Sequence, residues 1–317
     1  MENGYAVSAR AKTLGKRITR ECSYFARHWP LYIMVFPAVV YILIFAYKPM
    51  YGIVIAFKTY NFRAGILGSP WCGLENFQRL FSSYWLSTIV RNTLTISLMT
   101  LVLGFPFPIL LALMMNELSS ESLKRTLQTV SYAPHFISTV VMCGILNLLL
   151  GNTGIVNRVI GSLGGQMVDF LQDPSLFKWV YVLSGVWQEA GWAAVIYFAA
   201  LSAVDKQLLE AADIDGASRL QKIWYINLPV LVPTITIMFI LNCGGLLSVG
   251  YEKVYLLQTA PNISASEVIS TYVYKVGLVQ SDFGFSTATN LLNSVINSIL
   301  LLIVNGISAK LGQSSLW

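Results

Sequence analysis

Charged residues are scarce in this chain. Asp, Glu, Lys and Arg make up only 11% of its 317 residues, whereas hydrophobic residues make up 55%. Soluble globular domains usually carry about 25% charged residues, so the composition excludes an ordinary water-soluble protein and indicates a membrane protein. The first apolar run is too long for the apolar core of a signal peptide, and we therefore expect a retained first transmembrane helix.

The chain is also poor in the residues and motifs that support metal binding or catalysis. It has two histidines and four scattered cysteines, without Cys-x-x-Cys or ligand-like spacing to histidine. It contains no GxxxxGK[ST] sequence, so any ATP-driven step must use a nucleotide site on another polypeptide. Ser, His and acidic residues are not grouped as a catalytic set, and we expect neither an enzyme nor a metal site.

Long apolar runs are what the chain does contain. A helix needs about 20 mostly apolar residues to cross a bilayer. Six stretches qualify, with the first crossing ending near residue 47, and they cover residues 31–57, 86–115, 126–150, 176–204, 228–249 and 288–309. The sequence therefore predicts an all-α integral membrane protein with six transmembrane helices.

The net charge of +6 is unevenly distributed, and this predicts the orientation of the chain. Six Lys and Arg residues precede the first apolar run, and such residues favour the cytoplasmic side. With six crossings, both termini are predicted to lie inside. We divide the chain into a basic cytoplasmic tail, residues 1–30, and a transmembrane domain, residues 31–317.

A charged island, EAADIDGASRLQKIWYINLPVLVP, stands between the fourth and fifth apolar runs at residues 210–233. Asp205 is a suitable N-cap for a short amphipathic helix, with Leu208, Leu209, Ala212 and Ile214 turned toward the membrane domain. Gly216 is suited to a left-handed stop. The island is thus predicted to form a short helix held between two crossings. An ordinary amphipathic interfacial loop is the alternative.

The string EAA-x-x-D-G-A followed by I-x-L-P resembles the EAA motif of ABC-importer permeases. That resemblance implies a type I importer permease-like fold and a cytoplasmic coupling loop, here residues 205–227, which docks on an ATPase. The residues that it assigns to ATPase coupling are Glu210, Ala211, Ala212, Asp213, Asp215, Gly216, Ala217, Leu228 and Pro229.

The resemblance extends over most of the chain. The stretches YKPMYGIVIAFKTYN, GSPWCGLENF, GNTGIVNRVIG and FLQDP are similar to carbohydrate-uptake permeases, especially those that handle oligosaccharides or polysaccharide fragments. Such a permease resides in the bacterial plasma membrane. The resemblance also implies a second, non-identical permease subunit, two ATP-binding subunits that hold ATP and Mg, and an extracytoplasmic sugar-binding protein. The segment LSVGYEKVYLLQTAPNISASEV departs from the usual pattern, which argues against a common disaccharide.

Polar and aromatic residues inside the apolar runs are candidates for the substrate path, because polar groups in a membrane are costly and usually face an interior or water. The candidates are Trp187, Gln188, Glu189, Trp192, Asn242 and Asn293. The alternative is that the asparagines form interhelical hydrogen bonds and the tryptophans fill gaps.

Two other transporter classes remain possible from these residues alone. One is a self-contained secondary transporter that uses Glu189 as its proton-coupling carboxylate, although a single acidic residue is little support for a proton relay. A channel is a third class, but the sequence has no filter-like segment or repeat.

Overall fold

A computed structural model describes residues 27–312 and 314–316 of the chain. Within these residues the regular structure is helical, and the only β pairing is an isolated bridge between Lys58 and Trp71. The all-α prediction is therefore confirmed. The basic tail was predicted for residues 1–30, and most of it lies outside the described residues.

The chain divides into two compact units, Met1–Val54 and Ile55–Trp317. Among its described residues, the first unit is helical throughout. It contains a π turn at Leu43–Tyr47, followed by Lys48–Met50 with Pro49 in the first helical positions. Proline has no N–H to donate to an interior helical turn, and it is accommodated here directly after the π turn, where the regular hydrogen-bond pattern is already interrupted.

Five helices in the described residues are long and apolar enough to cross a membrane, or six if one bent pair counts as a span. We number the principal helices in chain order: α1 Arg27–Phe57, α2 Leu86–Asn116, α3 Glu121–Tyr132, α4 Thr139–Ser162, α5 Pro174–Leu201, α6 Lys206–Ile214, α7 Arg219–Gly244, α8 Tyr251–Leu257, α9 Ile269–Tyr274 and α10 Phe283–Lys310. Shorter helices lie at Gly65–Gly68, Glu75–Phe81, Ala133–Phe136 and Ile263–Ser266.

The prediction of one crossing over residues 126–150 is wrong. Residues 121–132 form α3, whose N-cap Ser120 accepts a hydrogen bond from the Leu123 amide. A short 3-10 turn containing Pro134 ends this helix, and Ser138 caps the start of α4. Pro134 and the Ser138 cap separate the polar-faced α3 from the apolar α4, so the crossing begins near Thr139.

Two buried apolar clusters lie along α2 and α5, one near each end. The first cluster includes Ile96 and Val182, together with Cys143, Val254 and Val268 from other segments. The second cluster is built from Ile109, Ala112, Ala194, Tyr197 and Leu231. Because the clusters are separated along both helices, the residues between them are free to line a cavity.

A close backbone approach fixes α3 against α5. A Cβ atom at Gly191 would lie 2.0 Å from the Ser131 carbonyl oxygen, a distance that no side chain tolerates. Glycine at this position is therefore a packing requirement. The contact brings the turn containing His135 next to the middle of α5.

The segment between α7 and α10 folds on a buried polar network. Asn262 is fully buried and donates to the carbonyl oxygens of Leu171 (2.7 Å) and Leu257 (3.0 Å). Glu267 is 3% exposed and pairs with Lys275 at 2.5 Å. Buried polar groups that are paired in this way restrict a segment to one arrangement.

Candidate functional site: a central cavity and an exposed segment

A cavity of about 580 Å³ lies between α2, α5 and the end of α7, at the level between the two apolar clusters. Its lining includes Ser97, Thr100 and Gly104 from α2 and Gln188 and Glu189 from α5. At Thr100–Gly104 the helix widens into a π turn, a local distortion that is frequent at functional sites. The volume falls within the range of about 300–1,000 Å³ that is usual for ligand pockets.

Three predicted path residues meet in this cavity: Gln188, Glu189 and Asn242. Gln188 is mostly buried and donates to the Ile137 carbonyl at 3.0 Å, which holds its amide in place. The Glu189 carboxylate lies 2.8 Å from Nδ1 of His135. These contacts link α5 to the segment between α3 and α4.

The two predicted tryptophans lie elsewhere. Trp187 lines a separate, almost wholly apolar pocket between α4 and α5. Trp192 stacks on the imidazole of His135, with 4.8 Å between ring centroids and 1° between planes. Trp192 therefore supports the His135–Glu189 pair, and neither tryptophan lines the central cavity.

A second cavity, of about 430 Å³, adjoins the first and shares Ser248, Val249 and Tyr251 with it. Asn293 lines this second cavity, and its Oδ1 atom is buried without a partner among the described residues. One turn further along α10, Asn297 accepts from the Leu247 amide at 3.0 Å and donates to Ser248. Asn297 thus braces the chain where α7 has ended, a structural role.

Sequence reasoning missed Lys253, which lines the central cavity from α8. Its Nζ atom donates to the Tyr181 carbonyl at 3.2 Å and lies 5.0 Å from the centroid of the Tyr181 ring. Burial lowers the pKa of Lys253 to about 8, although Cys143 and Glu189 act in the opposite direction. The sequence did contain a feature that could have pointed to Lys253: it stands between Tyr251 and Tyr255 in the segment that departs from the sugar-permease pattern.

The helix that contains the start of the charged island begins at Lys206, shortly after α5 ends. Helix α6 is bent by 80° from α5, and the predicted N-cap, Asp205, accepts from the Gln207 amide at 2.9 Å. The helix ends in a Schellman motif: Gly216 has φ +74°, and the Ala217 amide donates to the Ala212 carbonyl at 2.9 Å. The predicted left-handed stop at Gly216 is confirmed.

The returning arm of the island is fixed by local contacts. Ser218 and Gln221 form a capping box at the start of α7. Lys222 pairs with Asp213 at 2.7 Å across the two arms. Leu228 packs partly buried against the second apolar cluster, whereas Pro229 is exposed.

Several apolar side chains of the island are uncovered. Leu209 and Ala212 are half-buried as predicted, but the prediction that Leu208 and Ile214 face the membrane domain is wrong. Ile214 is 87% exposed because it is the last residue of α6, where the chain turns away. Leu220 is 77% exposed, and Trp224 and Tyr225 are exposed as well. Together with the exposed Glu210, Asp213 and Asp215, these residues form a mixed apolar and acidic surface.

Residues 104–312 match the family described as "Binding-protein-dependent transport system inner membrane component". Among curated proteins, the chain is 42% identical over 288 residues to the polygalacturonan/rhamnogalacturonan transport system permease protein YteP of Bacillus subtilis, covering 90% of each chain. It is 29% identical to the arabinooligosaccharides transport system permease protein AraP of the same organism, covering 89% of this chain and 88% of AraP.

Two solved structures share the fold. One is a chain of a bacterial ABC transporter involved in the import of the acidic polysaccharide alginate, with a TM-score of 0.85 and 38% identity, covering 92% of this chain and 99% of that one. The other is a bacterial alginate ABC transporter in complex with an alginate pentasaccharide-bound periplasmic protein, with a TM-score of 0.85 and 37% identity, covering 93% and 99%.

Membership of this family decides between the transporter classes that the residues left open. A binding-protein-dependent permease is part of an ATP-driven importer, which argues against a self-contained secondary transporter that uses Glu189. The chain belongs to the binding-protein-dependent transport system inner membrane components and is the permease subunit of a sugar ABC importer, a multi-pass protein of the bacterial plasma membrane.

Proposed function

We propose that this permease carries oligosaccharides released from acidic polysaccharides, and that residues 205–227 couple its movement to partner ATPase subunits. The exposed surface of the island is the observation that carries the coupling role. The combination of exposed Ile214 and Leu220 with Glu210 is typical of a surface that another protein covers. Only residues 202–205 separate α6 from α5 at the 80° bend, so a push on α6 is passed directly to the helix that lines the cavity.

The two adjoining cavities support an oligosaccharide as the substrate. They share Tyr251, which stacks on Tyr274 with 5.1 Å between ring centroids. Aromatic faces with a few polar anchors are suited to sugar rings. The polygalacturonan, rhamnogalacturonan and alginate named for the relatives' systems all contain sugar acids, and this favours an acidic substrate.

The complete importer requires other chains. In the proposed assembly, a second, non-identical permease supplies the other half of the path. Two ATPase subunits bind ATP and Mg, and an extracytoplasmic binding protein delivers the sugar. The closure of the ATPases on ATP pushes the island and switches the two permeases between inward-facing and outward-facing states, with both termini of this chain inside.

The substrate is tested with the whole importer in proteoliposomes that contain ATP and are supplied with saturating binding protein. Trigalacturonate and arabinotriose are the two probes. ATP-dependent uptake of trigalacturonate in preference to arabinotriose is the expected result. Preferential uptake of the neutral probe would overturn the acidic substrate, and uptake of neither would overturn the oligosaccharide function.

The coupling role is tested by a pull-down of the ATPase subunits with the Glu210→Lys permease. The charge reversal should weaken retention of the ATPase about tenfold, as expected for the loss of one favourable interface contact. Glu121→Lys, at the exposed start of α3, is the matched control and should retain the ATPase. Equal retention by the two variants would place the ATPase contact elsewhere.

A further inference from the structure

Lys253 is a lysine whose charge lies in a cavity without a carboxylate partner. None of the ion pairs among residues 27–312 and 314–316 includes it. The Nζ atom donates to one acceptor, the Tyr181 carbonyl, although an ammonium group has three donors. A half-buried cation with unused donors is costly unless another group compensates for it.

The local packing holds this ammonium at the cavity wall. The Tyr181 ring lies beneath it at 5.0 Å, a cation–π arrangement that fixes its position. At Gly185 a Cβ atom would lie 3.4 Å from Nζ, so any larger residue would add a carbon in contact with the charge. Glycine at 185 leaves the ammonium accessible to a ligand.

The carboxylates near Lys253 are engaged or exposed. Glu189, on α5, is bound to His135 at 2.8 Å. Glu252, the preceding residue on α8, is exposed. Lys275 provides the contrast, because it lies in the same segment between α7 and α10 and is paired with the buried Glu267 and with Gln258. One lysine is therefore neutralised by the fold, and the other is left for a partner outside the described chain.

We propose that Lys253 binds a carboxylate of the acidic oligosaccharide as it passes through the central cavity, and that it favours acidic over neutral sugars at this point of the path. The inference rests on the proposed function. A charge-assisted hydrogen bond from the ammonium to a uronate oxygen supplies the missing compensation. The neighbouring Tyr251 offers an aromatic face to the same sugar unit.

The first test is uptake of trigalacturonate by the reconstituted importer at saturating binding protein. Lys253→Gln should reduce uptake at least about tenfold, the loss expected for one charge-assisted hydrogen bond, and Lys253→Arg should restore most of it. Lys178→Gln, on α5 and outside the cavity lining, is the matched control and should transport normally. Gel filtration of each assembled complex separates a transport defect from failure to assemble.

The second test detects the contact directly in the wild-type importer during turnover. A water-soluble carbodiimide activates a uronate carboxylate, the unprotonated Lys253 amine attacks it to form an amide, and the carbodiimide leaves as its urea. Mass spectrometry should find the trigalacturonate adduct on the Lys253 peptide and not on the Lys178 peptide. Carboxyl-reduced trisaccharide should give no adduct.

The outcomes separate this inference from the function on which it rests. In one outcome the wild-type importer transports trigalacturonate, the Lys253→Gln variant transports it equally well, and the Lys253 peptide carries no adduct. This outcome overturns the role of Lys253 alone. A wild-type importer that takes up no trigalacturonate overturns the proposed substrate and the role of Lys253 together.

Discussion

The charged island, together with the helix start at Asp205 that leads into it, and the segment between α7 and α10 use polar residues in opposite ways. In the island the ion pair Lys222–Asp213 is exposed on its Asp213 side, and the capping hydrogen bonds at Asp205 and Ser218 join residues two or three positions apart. In the other segment Glu267 is buried, and Asn262 bonds to a carbonyl 91 residues away. The island is therefore a locally determined surface, whereas the second segment is locked into the core that surrounds the cavities.

The largest expected effect is on the buried pair. Glu267→Ala leaves the half-buried Lys275 without its carboxylate partner, and we expect the free energy of unfolding to fall by about 3 kcal/mol. Thermal denaturation of the purified importer, followed by gel filtration, measures the loss. An unchanged denaturation temperature would mean that the network around Glu267 does not hold the segment in place.

The pH dependence of uptake should follow Lys253. Its pKa of about 8 means that the ammonium is protonated below this pH and neutral above it. The ratio of trigalacturonate uptake by the wild-type importer to uptake by the Lys253→Arg variant should therefore fall about tenfold between pH 7 and 9. The arginine variant stays charged throughout and corrects for the pH dependence of the ATPase.

Among the described residues, four titratable groups lie near Lys253 and bear on this pH profile: Tyr181 and Glu189 on α5, Cys143 on α4 and Glu252 on its own helix. The Glu252→Gln variant should retain the fall in uptake at high pH, because Lys253 still loses its proton. If the ratio of wild-type to Lys253→Arg uptake does not change between pH 7 and 9, the assignment to Lys253 is contradicted.

A smaller effect is expected at Gly216. Alanine there meets no atom within 4 Å but must adopt φ +74°, which costs roughly 1 kcal/mol. Because the cost falls on the end of α6, ATP hydrolysis should become less tightly linked to uptake while the complex still assembles. The ratio of sugar transported to ATP hydrolysed measures this. Gly161→Ala, at a helical glycine with open space around it and outside the cavity linings, is the control.

The smallest effect is expected for Asp213→Ala in the island. The Lys222–Asp213 pair is solvent-exposed on the Asp213 side, and such pairs contribute at most about 1 kcal/mol. Thermal stability should hardly change, in contrast to Glu267→Ala. A large loss of stability would show that the island is held by this pair rather than by its helix caps.

The sequence predicted some features of the site and missed others for identifiable reasons. The cap at Asp205 and the stop at Gly216 were predictable because each depends on residues within a few positions. The exposure of Ile214 was missed because amphipathic periodicity does not show where a helix turns away from its support. The start of the third crossing was missed because apolar residues of α3 merged with those of α4, across Pro134.

The cavity shows what local sequence does not contain. Gln188 and Glu189 were recognisable as polar residues in an apolar helix, but Trp187 beside them faces a different pocket. Which of these neighbours lines the cavity depends on how α5 is rotated against α2 and α7. Lys253 gave no periodic signal, since it comes from a short helix outside the candidate spans.

By itself, the sequence determined the all-α membrane class, the helix caps of the island and the motif that resembles an ATPase-docking loop. These features follow from composition and from contacts between near neighbours. The tertiary structure alone decided that Glu189 meets His135 and that Lys253 enters the cavity beside Tyr181 while Lys275 is neutralised by Glu267. Most of these contacts join residues from helices far apart in the chain, so they exist only once the helices have packed.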